Sequence, residues 1–188
     1  MSKQEEWWSG EDGVAYHQRN FVDWQKRIPF WDHVLTLTGA RSVLEFGSGP
    51  GWNLSACKEV YPSRKYRGLE INVAAIAQAY SAGIRTEENL YDIYQSELVF
   101  TAGCLIHIPP DDINNVMKSL IDHSYRYVLS IEYEADEETE IEYRGQIGLL
   151  WKRPYTEMYR SLGLTLVDKG KLQEDAGFDN CTYALFTK

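Results

Sequence analysis

The sequence predicts an α/β domain whose core is a mostly parallel β-sheet covered by helices on both faces. Three observations predict it. Strand-like apolar runs alternate with helix-like stretches over five units between Ser42 and Ile131, as in a sheet whose strands are joined by crossover helices. The first run, Val43-Leu44-Glu45-Phe46, breaks into Gly47-Ser48-Gly49-Pro50-Gly51 and then a helix-compatible stretch from Asn53 to Val60. Glycines at every second position let the chain turn tightly and leave no Cβ in a ligand's way. Glu70 follows about twenty residues on, where an acid ending the second strand of a nucleotide-binding sheet takes a pair of ribose hydroxyls.

In chain order, residues 1–35 are rich in aromatics and charge. Phe21, Trp24, Ile28 and Trp31 are spaced as on a helix. Two short helices are expected there, an N-terminal lid over a core of residues 36–188, the whole being one domain. The aromatics equally suit plain packing on the sheet. Arg19, beside Asn20 and aromatic anchors, is a candidate ligand for a carboxylate. The first strand is Ser42–Phe46 and the second Tyr66–Ile71. The run Ala74–Tyr80 is a strong helix former that ends at Gly83. A short third strand falls near Ile84–Glu87 and a fourth at Leu98–Thr101. Asp111-Asp112, after Pro109-Pro110, opens a helix to about His123. The fifth strand is Arg126–Ile131. Leu164–Lys171 and Asn180–Thr187 form a C-terminal hairpin, one strand of it antiparallel to the rest.

Composition narrows the function. The chain has 188 residues, 44% of them apolar, enough for a full α/β core. A net charge of −9 without a basic run disfavours nucleic acid as a partner. No apolar stretch approaches membrane-spanning length and no signal-peptide pattern opens the chain, so a soluble, cytoplasmic protein is expected. Cys57, Cys104 and Cys181 are odd in number and far apart, and His17, His33, His107 and His123 are scattered. Neither a disulfide framework nor a metal site is expected. Glu45 sharpens the reading of the glycine turn. A carboxylate two residues before Gly47 would face pyrophosphate in a dinucleotide site, whereas it suits a cationic group such as the ammonium of S-adenosylmethionine. No Gly-Lys-Ser/Thr follows, which excludes a phosphate-cradling loop. A tight strand–helix turn without a ligand is the plainer alternative.

These motifs resemble those of the class I S-adenosylmethionine-dependent methyltransferases. Glu45-Phe46-Gly47-Ser48-Gly49-Pro50-Gly51 is similar to their glycine motif, and Glu70 to their ribose acid. A closer resemblance is to the pseudaminic acid biosynthesis-associated methylases. It rests on Gly68-Leu69-Glu70-Ile71-Asn72, the run Val99–Ile108, Glu132-Tyr133, Tyr143-Arg144-Gly145, Leu150-Trp151-Lys152-Arg153, and the N-terminal Trp8-Ser9-Gly10-Glu11 and Tyr16 to Asn20. The resemblance implies a Rossmann-like fold with a seven-stranded, mostly parallel sheet and a C-terminal antiparallel hairpin. It implies S-adenosylmethionine as cofactor, contacted by Arg19, Glu45, Gly47, Gly49, Glu70, Ile71 and Thr101, with adenine near Asn89 and Leu90. Glu88-Asn89 departs from the Gly-acid pair common at that place.

In open parallel sheets the site lies beyond the carboxyl ends of the strands. His107 and Glu132 follow the fourth and fifth strands and are the catalytic candidates. His107 suits a general base, since an unperturbed imidazole titrates near pH 6.5; it also suits a turn-capping role beside Pro109. Glu132 would orient the base or bind an acceptor amine or hydroxyl, or be a solvated hinge residue. Residues 132–142 carry seven acids, and Arg144, Lys152 and Arg153 follow among Tyr143, Trp151 and Tyr155. This long insertion, with Tyr133, is the expected acceptor site for a small polar, anionic molecule such as a sugar or nucleotide-sugar intermediate. Arginine offers such a molecule a planar fork and aromatics offer it a face. Alternatively, these cations pair with the acidic run. A nucleic-acid or protein methyltransferase, or a cofactor-binding protein without catalysis, is the other functional reading.

Overall fold

Ser42–Phe46 (β1) is the strand against which the sheet is laid. Lys65–Leu69 (β2) and Ser96–Ala102 (β4) pair with it in parallel, one on each side. Arg85–Glu87 (β3) and Ser124–Glu132 (β5) extend the sheet in parallel outward. The computed structural model describes residues 3–89 and 95–188. A second, two-stranded sheet comprises Thr139–Glu140 (β6) and Trp151–Lys152 (β7). The C-terminal hairpin is Thr165–Leu172 (β8) and Cys181–Thr187 (β9). The main sheet has the order β3-β2-β1-β4-β5-β9-β8, and β9 runs antiparallel to both its neighbours. This is the expected seven-stranded sheet with its terminal hairpin.

The alternation of side chains along each strand gives the sheet two apolar faces. On one, Val43, Leu98, Phe100 and Leu129 pack with Trp31, Val34 and Leu35 of helix Ile28–Thr38 (α3) and with Leu54 and Cys57 of Trp52–Val60 (α4). On the other, Leu44, Val99, Val128 and Phe186 pack with Met117 and Leu120 of Ile113–Asp122 (α6) and with Tyr155 and Tyr159 of Tyr155–Ser161 (α7). Val73–Ser81 (α5) links β2 to β3. Fully burying a Val, Leu, Ile or Phe stabilises by roughly 1.5–3 kcal/mol. An exposed pair such as Arg160–Glu157 contributes about 0–1 kcal/mol, so the two apolar layers, not surface charge, hold the sheet.

The N-terminal region differs from the expected helical run. Lys3–Ser9 (α1) and Glu11–Arg19 (α2) are helices, but Phe21 lies outside any helix and is 89% exposed. Trp24–Arg27 is a 3₁₀ turn and α3 begins at Ile28, with Pro29 in its first turn. Proline lacks an N–H and its ring clashes with the carbonyl four residues earlier, so a helix starts there rather than passing through. The boundary expected between residues 35 and 36 falls inside α3, which is a core helix; only α1 and α2 form a roof. Hydrogen bonds to distant segments help to dock α1. Lys3 Nζ donates to the Ile147 carbonyl (3.0 Å), Gln4 Nε2 to that of Gly148 (2.8 Å), and Asn72 Nδ2 to that of Trp8 (2.8 Å). Among the described residues no helix is long and apolar enough to cross a membrane.

Gly13 is where α2 meets α1 and Asn72. A Cβ there would overlap the Trp8 carbonyl oxygen and lie 2.8 Å from Asn72 Nδ2. Alanine is the better helix former by about 1 kcal/mol, yet the overlap is with backbone and cannot be relieved by a rotamer. Gly13→Ala should therefore release the roof and leave the core folded. Limited proteolysis should cut within residues 3–19 faster than in the wild type while the main melting transition persists. Unchanged protection of that segment would contradict this packing.

Candidate active site

Two cavities of about 620 and 630 Å³ adjoin beyond the carboxyl ends of the parallel strands, and both are walled by Tyr16, Val22, Arg27, Ala102, Gly103 and His107. The first runs over the turn after β1. Gly47 and Gly49 have φ of 69° and 52°, a region that favours glycine. A Cβ at Gly47 would also stand 2.5 Å from Cys104 Sγ. The N–H groups of Gly47 and Ser48 donate to the Leu69 carbonyl at 2.8 and 3.0 Å, tying the turn to β2.

Glu70 completes that tie. Its Oε2 accepts from Gly49 N–H (2.7 Å) and its Oε1 from the N–H groups of Ile71 (2.8 Å) and Asn72 (2.9 Å). Burial raises its pKa and the three N–H groups hold it down. An ionised carboxylate has about four lone-pair sites, so capacity remains on the face that lines the cavity. Ile71 lines it too, partly exposed.

Glu45 is buried and less well provided for. Oε1 accepts from Asn53 Nδ2 (2.6 Å), but Oε2 is buried without a hydrogen-bond partner. Burial pushes its carboxyl up to about 8, against the Asn53 hydrogen bond and the charge of Arg27. Arg27 Nη1 donates to Asn53 Oδ1 (2.8 Å), its Nε donates to the Gly177 carbonyl (2.9 Å), and its guanidinium lies 4.3 Å from the Phe178 ring centre. A carboxylate and a guanidinium are thus spaced by Asn53 along one wall. Trp8 Nε1, His17 Nδ1 and Ser48 Oγ, which belong to residues of the same wall, are also buried without partners. Leaving such an atom unsatisfied costs about 1–3 kcal/mol, and native folds carry few. Glu45 Oε2, Trp8 Nε1 and His17 Nδ1 make this wall a candidate ligand site, whereas Ser48 Oγ lies against Gly68.

His107 sits where the cavities meet, with its ring 4.5 Å from that of Trp8 and 5.4 Å from that of Tyr143. Nδ1 donates to the Leu149 carbonyl (2.7 Å), so in the neutral ring Nε2 carries the lone pair. Burial lowers its pKa to about 4, well below the near-neutral value expected from an unperturbed imidazole. Glu132 is buried, lines neither cavity, and is no solvated hinge. Its carboxylate accepts from the backbone N–H groups of Cys104, Leu105 and Ile106 at 3.2, 3.1 and 3.3 Å, in the turn that carries His107. Burial raises its pKa to about 7, and these N–H groups restrain the rise. Thr101 is itself buried, with its Oγ1 lacking a hydrogen-bond partner, and lines neither cavity.

The other expected ligands divide. Arg19 is exposed on α2, its guanidinium 5.9 Å from the Tyr16 ring centre, and is absent from the cavity walls; Arg27 stands there instead. Asn89 is exposed and lines neither cavity, and Leu90 lies outside the described residues. Tyr133, Tyr143 and Arg144 line the second cavity. Trp151 is buried, and Lys152 is exposed with Nζ 6.0 Å from the Tyr133 ring centre. Arg153 is 0% exposed. Its Nε pairs with Glu138 (2.6 Å), and Nη1 and Nη2 donate to the Leu105 and Ile108 carbonyls (3.0 and 2.8 Å). Each of its three nitrogens is thus bonded to a protein group away from solvent, and it is a strut rather than an acceptor ligand. Among the described residues no three His, Cys, Asp or Glu side chains gather to hold a metal.

Sequence reasoning missed His17, Arg27 and Asn53. Asn53 carried a signal: it opens the helix after the glycine turn, within reach of Glu45. Arg27 carried none, because its place depends on how α3 packs on α4.

The sequence matches no protein-family profile and no curated protein. Solved structures do resemble it. The 1,6-didemethyltoxoflavin-N1-methyltransferase of Burkholderia thailandensis, with 1,6-didemethyltoxoflavin and S-adenosylhomocysteine bound, aligns with a TM-score of 0.69 at 19% identity over 96% of this chain and 84% of that one. The magnesium protoporphyrin IX methyltransferase of Synechocystis PCC 6803, with S-adenosylmethionine bound, aligns with 0.69 at 12% over 100% and 98%. The DhpI–S-adenosylhomocysteine complex aligns with 0.58 at 18% over 92% and 93%. The chain has a Rossmann-like methyltransferase fold. At these identities the likeness establishes the fold alone.

The assignment of Arg153 is checked by stability. Arg153→Met keeps most of the stem but abandons Glu138 and two carbonyls. Breaking one partner of a buried pair costs about 3–5 kcal/mol; because Glu138 is 43% exposed and can rehydrate, the lower end of that range is expected. Denaturant unfolding should show this loss for Arg153→Met and almost none for Arg144→Ala. Equal, small effects would return Arg153 to the acceptor site.

Proposed function

We propose that the chain is an S-adenosylmethionine-dependent methyltransferase acting on a small polar acceptor. The observation that carries the reading is the buried, unpartnered Glu45 Oε2 at one end of a wall whose other end is the Arg27 guanidinium. That pair complements a zwitterion. Glu45 suits the ammonium of the cofactor's amino-acid end, Arg27 its carboxylate, and Glu70 its ribose hydroxyls, and all three line the first cavity. The solved structures of the same fold that hold S-adenosylmethionine or S-adenosylhomocysteine support the assignment. The cofactor supplies a methyl group on a positively charged sulfur.

The chain's own task is then to align the acceptor and to take its proton. His107 borders both cavities. At a pKa of about 4 its ring is unprotonated throughout the physiological range and ready to accept. It is also a weak base, which suits a hydroxyl or amine that becomes acidic as its heteroatom gains positive charge during attack. Glu132 acts behind it by holding the turn. The second cavity is the acceptor's, with Tyr133 and Tyr143 offering faces to a ring and Arg144 offering a fork to an anionic group. A sugar or nucleotide sugar is the acceptor implied by the motif resemblance to pseudaminic acid biosynthesis-associated methylases, a resemblance that no family profile supports. The net charge of −9 favours a small molecule over nucleic acid.

Two outcomes are expected of cofactor binding, both read by calorimetry with S-adenosylhomocysteine. Glu70→Ala should weaken it about tenfold to a hundredfold, since hydrogen bonds to a charged group contribute roughly 1.5–3 kcal/mol. Binding an ammonium requires Glu45 ionised, and without ligand its pKa is about 8. Affinity should therefore rise as pH increases from 6 to 8, with proton release, and level off above 8; Glu45→Gln should flatten the slope. A wild type that does not bind the ligand would end this reading. Incubation with the methyl-labelled cofactor should label an anionic sugar fraction of cell extracts; label found only in nucleic acid or protein would overturn the acceptor class.

A further inference from the structure

The sequence gives His17 no site role, yet it lines the first cavity. It sits near the end of α2, with its ring 5.2 Å from Tyr16 and 6.5 Å from Trp52. It rests on Gly49. A Cβ there would lie 3.2 Å from His17 Cε1 and 3.8 Å from Nδ1, so the imidazole occupies the room left by the missing side chain. Nδ1 is buried and has no partner in the protein. Burial lowers the pKa to about 4, so the ring is neutral and one nitrogen is a donor, the other an acceptor.

Gly49 is also the residue whose N–H is held by Glu70 Oε2 (2.7 Å). The Glu70 carboxylate and the His17 ring therefore converge on one residue of the turn. His17, Gly49 and Glu70 all line the first cavity. We propose that His17 is a second ribose ligand, Nδ1–H donating to the oxygen of a hydroxyl whose proton is given to Glu70, so that α2 is part of the cofactor site. This rests on the cofactor reading above. The chemistry is complementary. An ionised carboxylate only accepts, and a hydroxyl that donates to it keeps lone pairs that need a donor. A 2′-phosphate in that position would instead face the Glu70 charge. The roof then gains a direct link to the cofactor in addition to the Asn72–Trp8 hydrogen bond.

The test compares S-adenosylhomocysteine with 5′-methylthioadenosine, which keeps the ribose and adenine but lacks the amino-acid end. Calorimetry with His17→Ala and His17→Phe should show both ligands weakened by a similar factor, about three- to tenfold. His17→Asn, whose Nδ2 can replace Nδ1, should recover most of the loss. A loss confined to S-adenosylhomocysteine would place His17 at the amino-acid end and overturn the proposal. So would unchanged binding, or wild-type affinity in His17→Phe, which would mean that the ring acts by shape alone. Thermal melting checks the fold of each variant, and His17→Phe carries the test if the alanine variant does not fold. Binding of both ligands by the wild type with no effect of His17 leaves the cofactor reading standing. Binding of neither removes both.

Discussion

The structure around the first cavity depends on one carboxylate held by three backbone N–H groups. Through Gly49 N–H, Glu70 fixes the turn that leaves β1. Through Ile71 and Asn72 N–H it fixes the chain that leaves β2. Asn72 passes the constraint on in two directions. Its Oδ1 caps α5 by accepting from Ala74 and Ala75 N–H, both at 3.1 Å, and its Nδ2 holds the Trp8 carbonyl of the roof. One buried acid thus sets the positions of the glycine turn, a helix and a lid. Hydrogen bonds to charged groups are about twice as strong as neutral ones, and here they replace the hydration that burial removes.

Three carboxylates are buried at the carboxyl ends of the sheet, and how each is satisfied separates their roles. Glu70 and Glu132 each receive three backbone N–H groups. Glu45 receives one side-chain donor and keeps a bare oxygen. A buried charge without partners shifts its pKa until it is neutral, which accounts for the upward push on Glu45. Such a site is costly to keep without a ligand and rewards a cation that enters it. The same argument separates the arginines. Arg153 has protein partners for each of its three guanidinium nitrogens, whereas Arg27 is part of a cavity wall and is bonded through Nε and Nη1.

Local patterns made the fold legible. The strand–glycine–helix sequence, the acid after β2 and the alternation of apolar runs are each written within a few residues of one another, and the sheet follows from them. The site was legible where its residues belong to those same motifs, as Glu45, Gly47, Gly49 and Glu70 do. It was not legible where position depends on packing between distant segments. Arg19 and Arg27 are both arginines near aromatics, and only the placement of α3 against α4 brings the second to the cavity. Arg153 looked like an anion ligand because its burial is invisible in the sequence. Proline explains the broken helix at Trp24–Ile28, and that signal was present but outweighed by apolar spacing.

The turn that carries His107 shows why residues outside the cavities matter to the chemistry inside. Leu105–His107 is a short 3₁₀ segment whose hydrogen-bonding groups would be largely orphaned on their own. Glu132 takes the N–H groups of Cys104, Leu105 and Ile106, and Arg153 takes the carbonyls of Leu105 and Ile108. The turn is therefore clamped by opposite charges, the carboxylate on its donors and the guanidinium on its acceptors. Leu149 completes the arrangement by accepting from His107 Nδ1. A proton acceptor has to stand within hydrogen-bond reach of its substrate, and a displacement of about 1 Å costs on the order of a hundredfold in rate. The long insertion after β5, which supplies Arg153 and Leu149, thus does more than wall the second cavity: it holds still the turn and ring on which an acceptor would be presented.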